Sequence, residues 1–528
     1  MQSREDEGKS VYNADNDKNS NDAIRIASNE LKNVFRDFLN MEPTSMLVRG
    51  LPGTGKTTLA LELMQLIHEK YNCFYISTRV SLARLQRYFP WIIGYLKDES
   101  VISYDKIEKD SVIDLRLGSA TGTVELVIDT LINKKRAFVV LDSWDALAKE
   151  IKHEDRMKME KTMITVADTH DGFLLFVSEE PEMNTLSYLV DGIVTLSIKD
   201  DGVSIRSMRI DKMRGVALYN NTYTYTLLDS RFTLVPMTRY NSTYYECRGG
   251  SNNSSSNSSG NMLFKKLDAR VGFISTGSKD TDNILRGGLA YGTTLLLEVD
   301  PGLDMVFLNT ILACMILNML KSGGKVMLCA VDAPVGSMFS SILPFCTDEV
   351  RNLTVFSSSK IDTLRMYEQW LTIKRDGKDM LSMLPSIVSI DDSDYMNIIL
   401  AKYEELKRVD GSTNHSSKSE GSEDNNSSEF STVRPLLLLL NRMYVNNSRM
   451  YEGMLLTSAK DNGDVTVVVE RMGSSNLPYV KSIADVHIRL WSRNGVYLMH
   501  GVKPSLGTYA ILLDGEKGYP SYSLLRMV

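Results

Sequence analysis

"SMLVRGLPGTGKTTLALELMQLIHEK", residues 45 to 70, decides the fold class of this chain. An apolar stretch leads into a glycine-rich turn, and an amphipathic pattern of helical period leads out of it. Gly50, Gly55, Lys56 and Thr57 fill the pattern G-x-x-x-x-G-K-[ST] in the strand-to-helix context that the pattern requires. Glycines at 50, 53 and 55 let successive backbone N–H groups curl around phosphate oxygens, and the N-terminus of the following helix adds partial positive charge. The expected ligand is ATP with Mg²⁺, held by Gly50, Leu51, Pro52, Gly53, Thr54, Gly55, Lys56, Thr57 and Thr58. Lys56 is expected to neutralise the terminal phosphates, and the Thr57 hydroxyl to ligate the metal.

Such a turn needs a second acid for the metal, at the end of another buried parallel strand. "RAFVVLDSWDAL", residues 136 to 147, supplies it: Ala137 to Leu141 are apolar, as a strand covered on both faces must be, and Asp142 follows directly. Asp142 is preferred over Asp145 because it ends the strand. Around these two points strand and helix signals alternate, from "CFYIST" through "FLLFVSEE" to a closing hairpin of "SIRSMRIDKM" with "TYTYTLLD". The expectation is an α/β fold with a parallel twisted sheet, helices on both faces and an antiparallel edge.

Bulk properties set the frame. A chain of 528 residues exceeds one hydrophobic core, so two or three domains are expected. The net charge of -6 gives no whole-chain attraction to nucleic acid or to an anionic membrane, and nucleic acid is not expected as the main ligand. Five cysteines without metal or redox spacing fit a reducing, cytoplasmic compartment. The longest apolar run, Met305 to Leu320, is interrupted by Asn309 and Asn318 and is too short to span a bilayer. Residues 1 to 24 read as a disordered polar arm. Residues 248 to 262, "RGGSNNSSSNSSGNM", read as a linker between a first domain at 25–247 and a second at 263–528. Residues 409 to 431 are also rich in serine and asparagine, and read as a disordered insertion inside the second domain.

In these particulars the first domain resembles the KaiC and RadA branch of the RecA-like P-loop ATPases. "VLDSWDAL" looks like that family's metal-binding strand, "LSYLVDGIVTL" like its late "ADGVV" strand, and "RIDKMRG" like its "KMRG" stretch. The second half begins in the same way: "ISTGSKDTDNILRGGLAYGTTLLLEVDPG", residues 274 to 302, is similar to the start of KaiC-type domains. Downstream, "RPLLLLLN" parallels "RAFVVLD", and "YVKSIADVHIRL" parallels "YLVDGIVTLS", in the same order, as an internal duplication requires. Yet the second loop has lost its lysine and threonine, offers Asp300 and Asp304 to a phosphate, and has Asn441 where the first half has Asp142. The second half therefore reads as a degenerate domain, a pseudo-ATPase.

Hydrolysing relatives in that branch carry a glutamate just after the second strand, where it polarises the attacking water. Here "FYISTRVSLARLQRYFPW" places Ser77, Thr78 and Arg79 there, and an arginine cannot act as a base at neutral pH. Glu179 and Glu180, after "LLFVS", are candidate substitutes for that acid, with a solvated surface pair as the leading reading. Binding without fast turnover is the leading expectation. "STR" followed by a short helix and "FPW", with one intact and one decayed half, resembles the GvpD family of archaeal gas-vesicle regulatory proteins. That resemblance implies a repressor that opposes a transcriptional activator through protein contact. The "KMRG" resemblance implies that Lys212 and Arg214 reach a neighbour's γ-phosphate, which makes a homo-oligomer the matching assembly. The competing reading, an oligomeric ATPase with genuine turnover, calls for a carboxylate after the second strand and basic DNA-binding loops, and the sequence displays neither. A small-molecule kinase would need a lid with several arginines, which the closing hairpin does not resemble.

Overall fold

The computed structural model describes residues 17–78, 80–94, 101–103, 120–149, 151–180, 185–200, 202–237, 264–330, 335–357, 385–389, 395–413, 435–441, 449–514 and 518–528. The chain divides into two compact units, one of Met1–Met237 with Arg526–Val528 and one of Thr238–Leu525.

In the first unit helix α1 (Asp17–Asn40) precedes β1 (Ser45–Gly50), α2 (Lys56–Ile67), β2 (Asn72–Ser77), α3 (Leu82–Tyr88), β3 (Val101–Ser103) and α4 (Ala120–Asn133). There follow β4 (Ala137–Asp142), α5 (Trp144–Ala148), α6 (His153–Thr169), β5 (Phe173–Ser178), α7 (Thr185–Leu189), β6 (Gly192–Asp200), β7 (Ser204–Met213), β8 (Thr222–Thr226) and β9 (Thr233–Leu234). These strands form one sheet in the order β3-β2-β4-β5-β1-β6-β7-β8-β9, parallel from β3 to β6 and antiparallel beyond. The central strands are apolar because both faces are covered. Met46 and Val48 of β1 pack with Leu59, Leu63 and Ile67 of α2 on one face. Leu47, one residue out of phase, packs with Val127, Leu131, Met163 and Ala167 on the other. Each such side chain contributes about 2 kcal/mol of burial, which fixes the register and so the positions of the residues at the strand ends. Gly50, Asp142 and Ser178 end β1, β4 and β5 at one edge of the sheet, where an open α/β sheet binds its ligand.

The second unit opens with a short pair of strands, β10 (Phe273–Ile274) and β11 (Leu289–Ala290), joined through α8 (Lys279–Ile284). Its main sheet contains β12 (Thr294–Val299), β13 (Lys325–Ala330), β14 (Leu353–Ser357), β15 (Ser386–Ser389), β16 (Leu436–Asn441), β17 (Val465–Arg471), β18 (Val486–Arg493), β19 (Val496–Lys503), β20 (Gly507–Leu513) and β21 (Tyr522–Arg526). Their order is β15-β14-β13-β16-β17-β12-β18-β19-β20-β21. Helix α9 (Met305–Lys321) is buried along nearly its whole length, which accounts for the long apolar run without any membrane. Helices α10 (Val335–Ile342), α11 (Tyr395–Thr413), α12 (Arg449–Asp461) and α13 (Leu477–Ile483) complete the unit. No described helix is long and apolar enough to cross a membrane.

Two boundaries differ from the sequence reading. The polar arm expected over 1–24 is helical from Asp17, because α1 is anchored further on by Leu31, Phe35 and Phe38, buried at helical spacing. Residues 409–413, the start of the expected insertion, belong to α11. Residues 1–16, the linker at 248–262 and residues 414–431 lie outside the described residues, as does Arg79.

Candidate functional site

The turn after β1 is built on glycine geometry. Gly50 has φ +153°, and a Cβ there would lie 2.3 Å from the carbonyl oxygen of Leu196, its ladder partner on β6. Gly55 caps α2 from the left-handed region at φ 87°, where a side chain would strike Leu227. Within the turn Lys56 is buried, and its Nζ donates to the carbonyls of Gly50 at 2.7 Å and Leu51 at 3.0 Å. The Thr54 hydroxyl donates to Leu51 O at 2.8 Å. Thr54 and Thr58 are buried, whereas Leu51, Pro52 and Gly53 form the exposed apex. Across the sheet edge the Thr57 hydroxyl donates to Asp142 Oδ2 at 2.6 Å. Residues separated by 85 positions in the chain thus meet because β1 and β4 flank β5 in register. Asp145 lies elsewhere: its Oδ2 accepts from the backbone N–H of Glu179.

Four further side chains support this turn, and no sequence pattern singles them out for that role. Tyr75 of β2 donates its phenol to Asp142 Oδ2 at 2.5 Å. Arg206 of β7 donates to the carbonyl of Gly53 at 2.7 Å, and the Tyr225 hydroxyl of β8 donates to that of Thr54. Arg49, buried just before the turn, donates to Thr195 Oγ1 at 2.8 Å and to Asp211 Oδ2 at 3.0 Å. Burial alone would raise the Asp211 carboxyl, but hydrogen bonds from Thr195, Arg209 and Arg49 hold it below the usual carboxylate range. Along the chain Arg206 and Arg209 form only a modest basic cluster; their separate partners follow from strand register.

The end of β2 carries no carboxylate. Ser77 is buried in register with Asp142, and the Thr78 backbone N–H donates to Asp142 O at 2.8 Å. Glu179 and Glu180 are half-buried rather than fully solvated, and Glu180 lies 3.8 Å from Arg156. Arg156 also pairs with Glu160 at 2.8 Å, and Glu160 accepts from Trp144 Nε1 at 2.6 Å, so this network ties the segment after Asp142 to α6.

Glu62, on the buried face of α2, pairs with Arg231 at 2.9 Å. Burial pushes its carboxyl up to about 7, against the lowering effects of Arg231 and the Phe232 N–H. Because the folded state favours the protonated form, this group stabilises fully below its unfolded value of 4.5 and loses that contribution as pH rises through about 7. Glu62→Gln is therefore expected to flatten the stability of the first unit between pH 5 and 7, removing at most about 3 kcal/mol of pH dependence. Urea unfolding midpoints across that range check this, and parallel profiles for parent and variant would contradict it.

Lys212 and Arg214 do not converge on the turn of their own chain. Lys212 pairs in register with Ile193 at the start of β6, whereas Gly50 pairs with Leu196 further along that strand. Lys212 Nζ donates to the carbonyls of Ser187 and Tyr188, both at 3.3 Å, and Arg214 pairs with Asp191 at 2.8 Å. Burial and the neighbouring Arg214 lower the Lys212 ammonium, despite Asp191. In the second unit Lys503 occupies the corresponding register position opposite His487. The 300–304 turn there is satisfied internally: Asp300 Oδ1 accepts from the Gly302 N–H at 2.8 Å, and Asp304 Oδ1 accepts from the Val306 N–H at 2.9 Å. Asn441 is buried at the end of β16.

A strand, a glycine turn enclosing a buried lysine, a helix and a facing acid define the first unit as a P-loop domain, an architecture that binds nucleotide. Residues 35–211 match the family described as GvpD gas vesicle protein, P-loop domain, and this stretch is GvpD-like. It is 26% identical over 289 residues to Protein GvpD1 of Halobacterium salinarum, covering 51% of this chain and 50% of that one. To Protein GvpD2 of the same organism it is 26% identical over 288 residues, covering 51% and 55%. The chain spans about half the length of the curated relatives it matches.

Proposed function

We propose that this protein is an ATP-binding regulatory switch, related in role to the gas-vesicle proteins it resembles, that acts on a transcriptional regulator through protein contact. The observation that carries the reading is the assembled pair of half-sites: a buried Lys56 inside the glycine turn, and Thr57 hydrogen-bonded to Asp142. These residues fit Mg²⁺·ATP. Gly53 and Gly55 have positive φ, as backbone N–H groups converging on phosphate require, and Lys56 supplies the matching charge. Thr57 and Asp142 would hold Mg²⁺ together with phosphate oxygens, since this ion takes few protein ligands and keeps several waters. When bound, the metal would neutralise phosphate charge. Asp142 would keep Thr57 oriented, and the turn that encloses the buried lysine would exclude water from it.

The second unit is read as a degenerate copy that serves as scaffold and partner surface. Support comes from the strand order, in which β14, β13, β16, β17, β12, β18, β19, β20 and β21 follow the sequence of β3, β2, β4, β5, β1, β6, β7, β8 and β9. A register shift also falls at the same place in both, at Ile193/Val194 and at His487/Ile488. Asp300 and Asp304 occupy donors that a phosphate would need. The end of β2 lacks a carboxylate to polarise water, so slow or absent turnover is the expected behaviour. Lys212 and Arg214, remote from their own P-loop, favour one second reading: an assembling ATPase in which they serve a neighbouring copy. Multiple-turnover ATP hydrolysis over a range of protein concentrations separates the two. A rate equal to that of Lys56→Ala at every concentration supports the switch, and a rate per molecule that climbs with concentration overturns it.

A further inference from the structure

We infer that Tyr75 is a positioning residue for the metal half of this site, using its phenol to hold Asp142 in the orientation that receives a divalent cation. The inference rests on the nucleotide-binding reading above. Tyr75 sits on β2 two residues before Ser77, and Ser77 is the register partner of Asp142. Residues two apart on a strand share a face, so the Tyr75 ring lies on the Asp142 side of the sheet and extends toward its edge. The side chain is 1% exposed and packs in the core that includes Leu59, Leu63 and Phe138. Packing alone would be met by phenylalanine. A buried hydroxyl without an acceptor costs roughly 1 to 3 kcal/mol, and the acceptor here is the carboxylate that faces Thr57.

Thr57 at 2.6 Å and Tyr75 at 2.5 Å donate to the same oxygen, Asp142 Oδ2. Each carboxylate oxygen offers two lone-pair directions, so these donors fill Oδ2, and Oδ1 is the oxygen that would serve a divalent cation. Neither donor alone stops rotation of the carboxylate about its terminal torsion, which is broad and roughly two-fold. Together they come from two different elements, α2 and β2, and fix it.

The test is the Mg²⁺ concentration that half-saturates binding of a fluorescent ATP analogue, measured for the full chain, for Tyr75→Phe and for both proteins carrying Asp142→Asn. Tyr75→Phe is expected to raise the half-saturating Mg²⁺ about tenfold while leaving analogue affinity in EDTA unchanged, and the increase is expected to vanish in the Asp142→Asn background. Tyr75→Met, which also lacks the donor, replaces Tyr75→Phe if the latter does not fold. A lowered unfolding midpoint with an unshifted Mg²⁺ curve would mean that the hydroxyl serves stability alone and would overturn the inference, leaving the nucleotide reading intact. If the parent binds no analogue with or without Mg²⁺, both fall together.

Discussion

Lys56→Ala is expected to weaken ATP binding by at least roughly 100-fold, about 3 kcal/mol, and the proposed switch would lose its regulation with it. The ammonium is enclosed by the turn, with Gly50 O and Leu51 O as acceptors at 2.7 and 3.0 Å. Alanine removes the one positive side chain of the turn and leaves two carbonyl dipoles facing an anion. Hydrogen bonds to charged groups contribute roughly 1.5 to 3 kcal/mol each, so loss of even two phosphate contacts reaches the stated size. Equilibrium titration with a fluorescent ATP analogue measures it, with circular dichroism as the check on folding. An affinity within tenfold of the parent would show that the lysine does not hold the ligand.

Gly50→Ala is the second large effect, and it acts on the fold before the ligand. The new methyl would lie 2.3 Å from Leu196 O and 3.0 Å from Thr54 Oγ1, so β1 and β6 must part at the point where the P-loop begins. The φ of +153° adds backbone strain for a residue with a side chain. A loss of roughly 3 kcal/mol in the stability of the first unit is expected, together with loss of ATP binding. Gly53→Ala is the internal control: nothing lies within 4 Å of its Cβ, and only the strain of φ +80° remains, costing about 1 kcal/mol. Urea unfolding of the two variants ranks them, and equal midpoints would contradict the packing account.

Much of this site is legible along the chain because its parts are local. The glycine turn sits between a strand and a helix pattern, and Asp142 ends an apolar run, so both half-sites stand out from the order of residues alone. Their supports do not, because register sets them. Tyr75 looks like an ordinary strand aromatic, and only the pairing of Ser77 with Asp142 brings its hydroxyl to that carboxylate. Arg206 and Tyr225 lie 153 and 171 positions from the carbonyls they hold, with no sequence signal to join them. Lys212 and Arg214 show the converse: their motif is legible, yet the antiparallel pairing of β7 carries them away from the turn of their own chain. The start of α1 is illegible for another reason. Its first residues are polar, and the buried anchors Leu31, Phe35 and Phe38 come only later in the helix. In the second unit the aspartates at 300 and 304 are legible as repulsive to phosphate, but not as acceptors that satisfy the turn from within.

On the proposed reading, one half of this chain holds nucleotide and the other does not. Calorimetric titration of Mg²⁺·ATP into the full chain, alongside Lys56→Ala, tests it most directly because it counts sites. One ATP bound per parent chain and none per Lys56→Ala chain is the predicted result. Two per parent chain, or one remaining in Lys56→Ala, would place nucleotide on the second unit and contradict the account.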